Sequence, residues 1–191
     1  MGHSQAEKAQ SRERILSEAA DRVRDAGLES ISVGKLMRSV DLTHGGFYNH
    51  FESRSDLLAQ ALQRALADGQ KARLAADPDD TPRTFAAKVR SFLSRSHRDS
   101  RATGCAIAAL ASDVARADEQ SRAVMSDHID AFISQFAKSL HTQDEGDAML
   151  AVSAMIGALL LSRIQVDPKQ SDALLKSVRE RLLALNRADP G

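Results

Sequence analysis

The residues best suited to chemistry lie between Leu42 and Phe51. Thr43, His44, Gly45, Gly46, Tyr48, Asn49 and His50 set hydroxyl, imidazole, phenol and amide groups beside two glycines, with Phe47 and Phe51 four places apart among them. Such groups donate to phosphate oxygens and read base edges, and an Asn side chain has the donor–acceptor pair that adenine presents. Two adjacent glycines cost a helix roughly 1 kcal/mol each against alanine. That cost makes sense where the backbone must come close to a ligand. Lys35, Arg38 and Arg54 add cations for phosphate contacts. The same run also fits a solvated helical corner whose glycines only turn the chain.

To present this set, the chain needs two short helices packed across a tight turn. Ser32 stands where it can cap a helix over about 33–40, with Leu36, Met37 and Val40 facing inward. Asp41 and Leu42 form the turn, and Thr43 can cap a second helix over about 44–50. Phe47 and Phe51 share one face of it and anchor it. Upstream, Ile15, Leu16, Ala19, Ala20 and Val23 make an amphipathic helix that begins near Arg12 and stops at Gly27, with a polar, frayed segment before it. Downstream, Ser53 opens a long helix to about residue 75, with Asp56 in its first turn. A break follows over Asp77–Pro82. Five further helices are expected near 82–97, 104–117, 119–141, 144–165 and 169–187. The expectation is an all-α chain of about nine helices, with a head over 1–52 and a helical body over 53–191.

The run from Ser32 to Leu58, together with Arg14–Ala20 and Gly27, resembles the signature of the tetracycline-repressor (TetR) family over about residues 12–60. The run from Gly104 to Arg116 is similar to the sixth helix of a subset of those regulators. The resemblance implies a homodimeric repressor released from a palindromic double-stranded DNA operator by a small-molecule ligand. It places Thr43, His44 and Gly46 at base edges and Tyr48, His50 and Arg54 on phosphates. It gives the long fourth helix the task of linking head to body, and pairs the helices near 144–165 and 169–187 with those of a second copy. Two positions depart from the family pattern. His44 stands where Lys or Arg is common, and Asn49 where His, Tyr or Arg is common, so the half-site sequence is left open.

For that dimer face the sequence offers the small-residue stripe Ala148, Val152, Ala154, Met155, Gly157, Ala158 and Leu161, and on the last helix Ala173, Leu174, Val178, Leu182 and Leu185. Leu62, Leu66, Phe85, Val89, Phe92, Cys105, Ala108, Leu110, His128, Phe132 and Met155 are candidates to line a ligand pocket, and each also fits ordinary core. Cys105 at a helix start admits a second reading, a sensor of electrophiles or oxidants, against that of a small buried residue. From another class stands a helical small-molecule carrier or enzyme without DNA binding.

Composition bounds these readings. The 191 residues carry 26 basic and 26 acidic side chains, so the net charge does not itself point to nucleic acid. Hydrophobic residues at 42% and aromatics at 4%, with no Trp, favour a helical globular chain. One cysteine excludes an intrachain disulfide and fits a reducing cytoplasm. The first thirty residues lack the apolar core of an export signal. The most apolar run, 148–161, falls short of the ~20 residues needed to cross a bilayer, so no membrane is expected. The histidines at 44, 50, 97, 128 and 141 show no metal-ligand spacing, and no phosphate loop or nucleophile elbow occurs. Neither an enzyme nor a cofactor is expected.

Overall fold

The structure, a computed structural model, describes residues 5–75, 84–100, 104–140 and 145–185. Among these residues all regular structure is helical: α1 (Gln5–Ala26), α2 (Val33–Ser39), α3 (Arg54–Ala75), α4 (Phe85–Phe92), α5 (Arg95–Asp99), α6 (Ala106–Val114), α7 (Glu119–Ala137), α8 (Glu145–Ile164) and α9 (Pro168–Leu185). Two 3₁₀ segments, Leu28–Ser30 and His44–Asn49, complete the order. The chain divides into two compact units. One contains the residues up to Ala72 with Leu110–Ser126, and the other Arg73–Ala109 with Asp127 onward.

In the first unit, α1 buries Ile15, Ala19, Ala20 and Val23, the face that periodicity predicts. The helix starts at Gln5, however, so residues 5–10 extend it where a frayed tail was expected. Gly27 ends it at φ 78°, a left-handed backbone that favours glycine. A Cβ there would also run into the Asp113 carboxylate at the end of α6. Ser53 Oγ accepts from the Asp56 amide at 3.0 Å, and the Asp56 carboxylate accepts from the Glu52 amide at 3.1 Å. Together these two bonds fix where α3 begins. The Asp77–Pro82 break lies outside the described residues.

The second unit corrects one expectation outright. The helix expected over 82–97 is two helices, because Leu93 leaves helical geometry and Ser94 Oγ caps a new start by accepting from the His97 amide at 3.1 Å. Four phenylalanines pack on one another there: Phe92–Phe132 centroids are 5.8 Å apart, Phe132–Phe136 5.0 Å and Phe85–Phe136 6.3 Å. In the first unit, between α6 and α7, the amides of Arg116 and Ala117 bond three residues back, and the Asp118 carboxylate accepts from the Ser121 amide at 2.9 Å. These bonds end α6 earlier than expected and start α7. Asp167 Oδ1 accepts from the Lys169 amide at 2.9 Å, placing Pro168 in the first turn of α9, where its missing N–H costs nothing.

Helices α8 and α9 pack as a pair, burying Ala148, Ala151, Val152, Met155, Ala158 and Leu159 of one and Leu175 and Leu182 of the other. Ser171 Oγ donates to the Ser162 carbonyl at 2.7 Å and accepts from Arg98 at 2.8 Å. Arg98 and Arg95 both reach Asp172, at 2.9 and 2.6 Å. Burial pushes the Asp172 carboxyl up, and the bonds from the two arginines outweigh it, leaving the group below its ordinary range.

Two expectations for α8 change. The uninterrupted helix outruns its most apolar stretch, so by length and composition Gly146–Ile164 is able to cross a membrane. Second, Ala148, Val152, Met155 and Ala158 of the proposed dimer stripe are buried inside the chain. The exposed apolar residues are Met149, Leu150, Leu160, Leu161 and Ile164. Leu161 is therefore the member of the expected stripe that stays exposed.

Candidate nucleic-acid interface

The polar set of 43–50 lies on one short element. Leu36 and Met37 of α2 are fully buried, and Val40 nearly so. The Leu42 amide bonds the Met37 carbonyl at 2.9 Å and closes the turn. Thr43 caps the next element as expected: its Oγ1 accepts from the Gly46 amide at 3.3 Å. Ser32 occupies the corresponding place before α2 but makes no side-chain capping bond. The element itself is a 3₁₀ helix over 44–49, not the α-helix expected over 44–50. Two consecutive glycines, each poor at holding an α-turn, accompany this tighter winding.

Phe47 and Phe51 anchor it. Both are buried, and their rings stack 5.6 Å apart. Tyr48 meets Phe47 edge-on yet remains 71% exposed. Ser32, Lys35, Arg38, Thr43, His44, Gly45, Asn49 and Arg54 are also exposed, and Gly46 and His50 half-buried. Arg54 does not project freely, since its guanidinium donates to the Ile31 carbonyl at 3.3 Å. A Cβ on Gly45 would meet nothing within 4 Å, and neither Gly45 nor Gly46 has positive φ. The chain's own packing therefore does not require glycine at 45.

His50 closes the element. Its Nδ1 is buried without a hydrogen-bond partner. Burial, then the positive charges of Lys8 and Arg12, hold the ring below its ordinary pKa. The motif reading missed these two basic residues. Lys8 lies seven places before buried Ile15 and Arg12 four after Lys8, so the periodicity that revealed α1 would have placed them on that face had the helix been extended back.

The pocket candidates are divided between the two units. Leu62, Leu66 and Leu110 belong to the first unit, and Phe85, Val89, Phe92, Cys105, Ala108, His128, Phe132 and Met155 to the second. Phe92 and Phe132 do meet, and Phe85 joins them through Phe136, as a closed aromatic cluster. Cys105 is buried and caps α6 through its carbonyl, which accepts from the Ala109 amide at 3.1 Å. A cavity of about 280 Å³ in the second unit is lined instead by Arg98, Asp99, Ser162, Arg163, Gln165, Val166, Pro168 and Ser171.

Solved structures match this architecture over nearly its whole length. NemR of E. coli in its reduced form is 15% identical, covering 91% of this chain and 95% of that one, with a TM-score of 0.69. A TetR-family regulator from Cytophaga hutchinsonii is 17% identical, covering 96% and 98%, also at 0.69. The chain has the fold of the TetR-family regulators. EbrR, a multidrug binding protein solved with proflavin, shares the TetR fold at 21% identity, covering 92% and 99%, with a TM-score of 0.65. No protein-family model and no curated protein sequence matches the chain. Against that background, the TetR resemblance read from residues 12–60 is matched by structure rather than by overall sequence.

Proposed function

We propose that the chain is a sequence-specific DNA-binding transcriptional regulator, a homodimeric repressor in the cytoplasm that leaves its operator when a small molecule binds. One observation carries the reading: a TetR fold presents Thr43, His44, Gly45, Tyr48 and Asn49 outward on an element whose only deep anchors are Phe47 and Phe51. In this reading Thr43, His44 and Gly46 meet base edges, and Tyr48, His50, Arg54, Lys35 and Arg38 meet phosphates. Gly45 lets the backbone approach the groove. The second copy docks on the exposed apolar residues of α8, Met149, Leu150, Leu160, Leu161 and Ile164. Two such heads would reach half-sites about 34–36 Å apart.

Gel-shift with duplex DNA flanking the gene tests the DNA reading. A sequence-specific shift that Tyr48→Ala weakens at least tenfold supports it. No shift, or an equal shift by the variant, favours a helical small-molecule carrier or enzyme instead. Sedimentation tests the dimer. Leu161→Glu, on an exposed position, gives a folded monomer, and a Leu161→Glu dimer as tight as the native one rules out this face.

A further inference from the structure

Gly34 stands in the first turn of α2, two residues after Ser32. A glycine there forgoes helix propensity, and its φ is not positive, so the backbone does not require it. What sets it apart is what lies over its Cα. A Cβ at this position would be 3.6 Å from His44 Cδ2 and 4.0 Å from Arg38 Nη1. At Gly45, Gly69 and Gly157 a Cβ would meet nothing within 4 Å. Arg38 comes from four residues along the same helix, and His44 from across the turn closed by Leu42. Both side chains are exposed, so neither fills a core. They converge above a position that carries no side chain.

The distances grade what can be put there. An alanine Cβ at 3.6 Å makes ordinary van der Waals contact and leaves the ring in place. Leucine or methionine carries further carbons into the volume that His44 and Arg38 occupy, and one of the two must move. Cδ2 is bonded to Nε2, so a shift of that ring edge also shifts the outer ring nitrogen. A guanidinium has only donors, and an imidazole N–H beside it adds another. Guanine is the base whose major-groove edge offers two acceptors and no donor. Adenine and cytosine present an amino group there, and thymine a methyl.

We propose that Gly34 is a specificity-determining positioning residue: by carrying no side chain it lets His44 lie beside Arg38, and His44 so held reads a guanine in each half-site. This rests on the DNA-binding reading above. Arg38 keeps the adjoining phosphate, and its charge favours the acceptor-rich edge of guanine. Gly34 acts through His44 and touches no DNA itself.

The test is selection of duplexes from a randomised library by the native chain, Gly34→Ala, Gly34→Leu, Gly34→Met and His44→Ala, followed by sequencing. Fluorescence anisotropy then compares the duplex selected by the native chain with the same duplex carrying adenine in place of the guanine. Circular dichroism verifies that each variant is folded, and two large side chains are used so that one misfolded variant does not end the test. The native chain is expected to select a repeat with guanine at one position of each half-site and to bind the adenine duplex about tenfold more weakly. Gly34→Ala keeps that preference. Gly34→Leu, Gly34→Met and His44→Ala lose it at that position, bind the two duplexes alike, and keep the rest of the repeat. Retention of guanine by the large variants or by His44→Ala overturns the proposal. So does a Gly34→Ala chain that binds every sequence equally more weakly, since the glycine would then serve a close approach of the backbone to DNA. In each of these outcomes a repeat is still selected, and the DNA-binding reading stands. If the native chain selects no repeat, that reading fails and Gly34 loses its role with it.

Discussion

The polar element of the first unit and the aromatic cluster of the second both depend on buried phenylalanines, and use them in opposite ways. Phe47 and Phe51 stack with each other and leave a rim of hydroxyl, imidazole and amide groups facing outward. Phe85, Phe92, Phe132 and Phe136 turn their edges and faces on one another, the arrangement that aromatic quadrupoles favour. The first arrangement presents chemistry and the second fills volume. What separates them is sequence distance. Anchor and functional group alternate within nine residues in 43–51, whereas the cluster joins α4 to α7.

Truncating one ring from each region gives the largest effects and the bluntest test of this contrast. Phe47→Ala and Phe136→Ala should each cost about 3–5 kcal/mol in denaturant unfolding, because both rings are buried. Only Phe47→Ala should also abolish duplex binding under conditions where the chain is still folded. Equal loss of DNA binding in both variants would erase the distinction. Gly27→Ala should come next, with a loss of more than about 1 kcal/mol. It places a Cβ on a positive-φ backbone and against Asp113. Pairing it with Asp113→Ala should recover only the steric part, since the backbone strain remains.

Gly45→Ala sharpens the comparison most, because its two effects should have opposite signs. With no positive φ and open space at the Cβ, the substitution should raise stability by about 0.4–1 kcal/mol while weakening DNA binding. A variant that is more stable and binds equally well would make Gly45 a plain turn residue. The smallest effect is in pH. His50 titrates near its ordinary 6.5 when unfolded and lower when folded. Below about 6.5 the unfolded chain therefore takes up a proton that the folded chain refuses. His50 thus favours the fold above that pH and loses this contribution as the pH falls toward its folded value. His50→Gln should show a flatter stability profile between pH 7 and 5. An identical profile would remove His50 from the electrostatic cluster with Lys8 and Arg12.

Much of the head was legible because its rules are local. Thr43 caps, Gly27 takes positive φ, Phe47 and Phe51 share a face, and Ser53 with Asp56 starts α3. The failures there are also local: Ser32 stands at a cap position without bonding, and the element with the paired glycines winds as 3₁₀. In the second unit, Ser94 was a readable cap that an unbroken apolar period masked. The covered face of α8 was not readable, because apolar residues occupy both sides of the helix and the packing of other helices, α9 foremost, decides between them. Which buried candidates line a pocket was not readable for a similar reason. Burial is a property of the assembled helices, and a buried leucine carries no local mark of whether it lines a cavity or fills one.

The most direct test of the account is selection of duplexes by the native chain from a library with a randomised centre, followed by sequencing. The account predicts enrichment of one inverted repeat whose half-sites lie about one helical turn, or a multiple of it, apart. The Tyr48→Ala chain should recover the same repeat more weakly. Recovery of no common sequence, at salt concentrations where the chain remains folded, would contradict the claim that residues 43–50 read DNA.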